Sequence, residues 1–174
     1  MNRSLFLSAL LTLLVFPSIG QSANRDSAIG ALNSLPPVYR NGVVWLSADH
    51  ANPHPDRWYA IARNAARRGQ PMDLTIARGR IISERPARNP RAFSRQLSPI
   101  NLRSIRVNST DLWRTANRLA SNRGRRLGSM SLQLQRQGPH ASPFWSVWCY
   151  DRRGRYIGFF SALATTGTVT SSRW

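Results

Sequence analysis

The spacing of apolar residues changes repeatedly along this chain, and each change predicts an element. Leu5 to Phe16 form an apolar run interrupted only by Ser8 and Thr12, behind Arg3 and ahead of Pro17. A spanning helix needs roughly 20 apolar residues, so this run is short for a membrane anchor. With the small residues Ser18-Ile19-Gly20 after it, the pattern predicts a signal peptide over residues 1–20 and export of the rest. Residues 21–42 are small and polar and contain Pro36-Pro37, which predicts a flexible arm. Val43 to Leu46 then predicts a first strand.

From Asp56 the pattern predicts a helix. Trp58, Ile61, Ala62 and Ala65 fall at i, i+3, i+4 and i+7, Asp56 can cap the first turn, and Gly69 can end the last. Met72, Leu74 and Ile76 alternate with Asp73 and Thr75, the period of a half-buried strand. Arg78-Gly79-Arg80 turns the chain into a partner strand at Ile81-Ile82. A proline- and arginine-rich loop follows, and Ile100 to Val107 predicts a further strand. A second helix is expected from Thr110 or Asp111 to Gly124, with Leu112, Trp113, Ala116, Leu119 and Ala120 as its apolar face. Met130 to Leu134 alternates as a strand. Phe144 to Tyr150 alternates with Trp145, Val147 and Cys149 on one face and Trp148 and Tyr150 on the other. Asp151-Arg152-Arg153-Gly154 is a hairpin turn leading to a return strand, Tyr156 to Leu163.

An internal duplication is suggested by these elements. Setting Asp56 on Asp111, an offset of 55 residues, matches an Asp, a Trp and a Gly at the cap, anchor and stop of the two expected helices. At an offset of 58, Met72, Leu74 and Ile76 meet Met130, Leu132 and Leu134. The expected fold is α+β: a helix packed on antiparallel strands, in two related repeats that share a core, residues 43–107 and 108–174.

Composition changes the picture in two ways. The chain has 25 basic and 7 acidic residues, a formal charge of +18, and every basic residue is arginine. Weak, salt-sensitive attraction to anionic polymers follows from that charge alone, although the arginines are spread along the chain rather than run together. Cys149 is the single cysteine, so no intramolecular disulfide can form and the aromatic core must carry stability.

Catalysis is poorly supplied. There is one glutamate, Glu84, and the six aspartates fall mostly at expected caps and turns. His50 and His54 have metal-like i, i+4 spacing, but Pro53 and Pro55 deny them a helix, so a polar turn is the expected role. His140 and Cys149 lack any flanking pattern of a nucleophile–base pair. No catalytic, cofactor or metal residue is assigned. The residues singled out for binding are Trp148, Tyr150, Arg152, Arg153 and Arg155, where stacking faces and cations lie on one hairpin. Two repeats need a shared core, so the expected arrangement covers Trp148 and Tyr150 with the first repeat. The alternative leaves that face open.

The helix Leu112 to Asn122, the hairpin Trp145 to Gly154 with its Asp-x-x-Gly turn, and the closing Ala164-Thr-Thr-Gly167-Thr-Val169 resemble a PepSY-type domain. The resemblance covers the C-terminal half, with a degenerate copy starting near Asp56. It departs from the usual pattern where Ala162 and Ala164 replace an acidic residue before the Thr-Gly turn. It implies a non-catalytic module, periplasmic or secreted and without a membrane anchor after cleavage, that binds or restrains a partner protein such as a peptidase. The competing expectation is a basic module for nucleic acid, acidic glycan or anionic lipid.

Overall fold

A computed structural model describes residues 26–88 and 97–174. The expected signal peptide and the start of the expected arm lie outside the described residues. The fold is one eight-stranded antiparallel sheet with helices on one face. Its elements are α1 (Ala28–Asn33), α2 (Pro37–Arg40), β1 (Val43–Ala51), β2 (Trp58–Asn64), β3 (Gln70–Ala77), β4 (Arg80–Pro86), α3 (Ser109–Ser121), β5 (Ser129–Gln135), β6 (Phe144–Tyr150), β7 (Tyr156–Leu163) and β8 (Val169–Arg173). The strand order is β4-β3-β2-β1-β5-β6-β7-β8. Two four-stranded meanders therefore run outward from a central antiparallel β1–β5 pair, and each is preceded by helix.

Three expectations are corrected by this architecture. In place of a flexible arm, residues 28–33 and 37–40 are helical, and Ala28, Ala31, Leu32, Leu35 and Tyr39 are buried in the core. Their spacing is that of one helical stripe, which Pro36-Pro37 divides because proline ends the first helix and starts the second. The helix expected from Asp56 is instead strand β2 followed by a 3-10 turn, Ala65–Arg67. Trp58, Ala60, Ala62 and Asn64 face the core at period 2, and Asn64 caps the turn by accepting from Ala66 and Arg67. The strand expected over Ile100 to Val107 is coil around a 3-10 turn, Leu102–Ser104, that buries Ile100, Ile105 and Val107.

The expected duplication does not hold in the register read from sequence. The offset of 55 sets strand β2 against helix α3, and the offset of 58 sets the third strand of one meander against the first of the other. The helix of the second half is where it was expected. Asn108 caps α3 by accepting from Ser109, and Asp111 reaches back to the Asn108 amide at 3.0 Å, a reciprocal capping box.

One core fills the space between helices and sheet. Trp58 and Trp145 meet at its centre with ring centroids 6.3 Å apart, tilted by 56°. Trp58 Nε1 donates to the carbonyl of Asp26, the residue before the α1 cap Ser27, at 3.0 Å. Trp145 Nε1 donates to the carbonyl of Val107, the residue before the α3 cap Asn108, at 3.2 Å. Each tryptophan thus ties the second strand of its meander to the start of its helix. Glycines admit close backbone contact at matching places: a Cβ on Gly42 would lie 2.3 Å from the Arg63 carbonyl, and one on Gly128 would lie 2.5 Å from the Asp151 backbone.

Candidate functional site

The helices occupy one face of the sheet, and the other face is composed quite differently. Strand registers place Ser83, Thr75, Tyr59, Ser47, Gln133, Ser146, Ser161 and Ser171 as successive cross-strand partners, a row of hydroxyl and amide groups over all eight strands. Beside it runs an apolar row, Ile61, Trp45, Gln135, Phe144 and Leu163, with one amide at its middle. On the other side Trp148 pairs with Phe159, rings 5.4 Å apart, and Tyr150 with Tyr156, rings 6.2 Å apart. Ile61 and Ser146 are buried, whereas Trp45, Phe144, Trp148, Tyr150 and Phe159 are half-buried and Tyr59 is exposed.

Trp148 and Tyr150 are therefore on a face that no described helix covers, which corrects the expectation that the first repeat lies over them. The physical reason is the β1–β5 pairing. The first meander extends the sheet sideways and shares the helix-side core, so its described strands lie beside the second meander and not over its outer face. Trp45 and Tyr59 join this face from the first half and were not singled out from sequence. Trp45 alternates with Leu46 and Ala48 of the core, a signal visible in Val43 to Ala51, but only the strand pairing reveals which residues it accompanies.

The hairpin arginines divide into two kinds. Asp151 Oδ1 accepts from the amides of Arg153 and Arg155 at 2.8 and 2.9 Å, and its other oxygen pairs with the Arg155 guanidinium at 2.7 Å. These contacts, the Arg155 amide foremost, hold the Asp151 carboxyl below its ordinary range. Arg155 is thus a turn staple. Arg152 and Arg153 are exposed at the same turn. Facing them across a groove of about 680 Å³ are Arg125 and Arg126, which follow the end of α3, with Tyr156 and Ile157 also in its wall. Sequence reasoning passed over Arg125-Arg126. Their adjacency to the hairpin depends on Gly128, whose lack of a side chain lets the chain lie against Asp151 and Arg152.

The residues weighed for catalysis do not come together. Cys149 is fully buried in the core, and burial pushes its thiol up to about 12. His140 is exposed before the opposite end of β6. Among the described residues no group of three or more His, Cys, Asp or Glu is placed to hold a metal ion, and no helix is long and apolar enough to cross a membrane. Comparison with protein-family models, curated proteins and solved structures finds no match.

Proposed function

We propose that this chain is an exported, non-catalytic binding module that engages an acidic partner protein through the face of its sheet opposite the helices. The observation that carries this reading is the aromatic cluster of β6 and β7: Phe144, Trp148, Tyr150 and Phe159 are half-buried, on regular strands, away from the helices. Rigid strands present these rings without the ordering cost that a loop would add on binding. Tryptophan, tyrosine and arginine are the residues enriched at the centres of protein interfaces, where lysine and glutamate are depleted. This chain has no lysine and one glutamate. The formal charge of +18 favours an acidic surface on the partner and speeds encounter with it. The resemblance to PepSY-type domains adds peptidases as one class of partner.

The breadth of the face fits a module made of two repeats, each a helix followed by a four-stranded meander. In that reading Ser47 and Gln133, which pair with each other, sit at an approximate two-fold axis. Trp58 corresponds to Trp145, Gly42 to Gly128, and the broken α1–α2 stripe to α3. The paired indole bonds to the residue before each helix cap support this correspondence.

Site-specific photo-crosslinking in the producing cell tests the function. A crosslinker at position 148 or 159 is expected to capture one discrete acidic protein, and a crosslinker at Arg118, exposed on α3, is expected not to. Capture of the same set of proteins from both faces, or none from position 148, would contradict the reading.

A further inference from the structure

We propose that the groove between the end of α3 and the β6–β7 turn binds phosphate groups, with Arg126, Arg152 and Arg153 as the liganding side chains. Five guanidinium groups and one carboxylate line or border it. Internal contacts fix two of the five. Arg125 donates to the Ile157 carbonyl at 2.5 Å, and Arg155 is held by Asp151. These contacts orient both side chains before a ligand enters, and the Arg155 charge is offset by Asp151.

The other three, Arg126, Arg152 and Arg153, are exposed, and their side chains make no hydrogen bond or ion pair to any described residue. Asp151 does not satisfy them, because its oxygens are occupied by two amides and the Arg155 guanidinium. Nor do the last carbonyls of α3, which accept from the amides of Asn122, Arg123, Gly124 and Arg125. Three unpaired planar forks around one cleft match the oxygens of a phosphate group, which guanidinium groups bind with two parallel hydrogen bonds. The volume of about 680 Å³ leaves room for more than one phosphate, so the favoured ligand carries phosphates in series.

The test titrates inorganic tripolyphosphate into the full mature chain at low salt and follows binding by calorimetry. Replacing the three liganding arginines together, Arg126→Gln, Arg152→Gln and Arg153→Gln, is expected to weaken binding by at least about tenfold. An equal-charge control, Arg57→Gln, Arg78→Gln and Arg80→Gln, alters three exposed arginines of a different cavity and is expected to weaken it by less than about threefold through lost net charge. Equal losses in the two variants, or no binding to the parent chain, would overturn the site. A single-stranded hexanucleotide forms the second arm. Tighter binding of it than of tripolyphosphate assigns the site to a phosphodiester chain, and the reverse assigns it to a free oligophosphate. Trp148→Ala is expected to leave tripolyphosphate affinity unchanged, so failure here is distinct from failure of the partner-protein reading.

Discussion

The two faces of one sheet use the same residue types for different ends. On the helix side, Trp58, Trp145 and Phe160 are fully buried, and both indole N–H groups find a carbonyl. On the other side, Trp148, Tyr150 and Phe159 are half-buried and pair with one another across neighbouring strands. Alternation along β6 separates the two sets by one residue, Trp145 from Ser146 and Val147 from Trp148. An aromatic residue stabilises the fold in proportion to the water it loses, so what decides its role here is the parity of its position.

Substitution on the helix side should give the largest effect. Trp145→Ala removes a buried ring and orphans the Val107 carbonyl, with an expected loss of about 3–5 kcal/mol in chemical denaturation. Trp58→Ala should cost a similar amount, because its contacts are of the same kind. A loss below about 1 kcal/mol at either position would break the comparison. Next in size is the protection of Cys149. Its thiol should resist alkylation in the native protein at pH 8 and react once denatured, as followed by mass spectrometry. Because folding raises this pKa to about 12, the associated stability is present below the ordinary thiol range and falls as pH climbs from about 9.

On the face opposite the helices, Trp148→Ala or Phe159→Ala should cost less than about 1.5 kcal/mol, since each ring is already partly in water. The smallest effect concerns the turn. Asp151 has a depressed pKa, so its contribution is present above the ordinary carboxylate range near pH 4 and lost as pH falls through the lower folded value. Asp151→Asn should flatten this part of the acid limb in a pH series of thermal melts.

The second half was the more legible in sequence, for identifiable reasons. Helix α3 announces itself with a broad apolar stripe and a closing Gly124, although its cap is Asn108 and not the Thr110 or Asp111 expected from sequence. The β6–β7 hairpin has strict alternation and a turn that only a few residue types suit. In the first half, alanine blurs the period. Trp58, Ile61, Ala62 and Ala65 fit a helix, while Trp58, Ala60, Ala62 and Asn64 fit the strand that forms. Pairing to β1 and β3 decides between them, and that information is not local. Pro36-Pro37 hid a buried helical stripe behind the composition of a linker. Of the binding residues, Trp148 and Tyr150 could be read from alternation. Their exposure could not, because it follows from the β1–β5 pairing, which joins residues far apart in sequence.

The central claim is that the aromatic face opposite the helices, and not the helix side, meets the partner. It is tested most directly by measuring, with calorimetry, the affinity of the protein crosslinked at position 148 for the Trp148→Ala/Phe159→Ala double variant. A loss of at least about a hundredfold, with Arg118→Ala unchanged, is the predicted result for two aromatic residues at an interface centre. Affinity within about threefold of the parent chain would contradict the account.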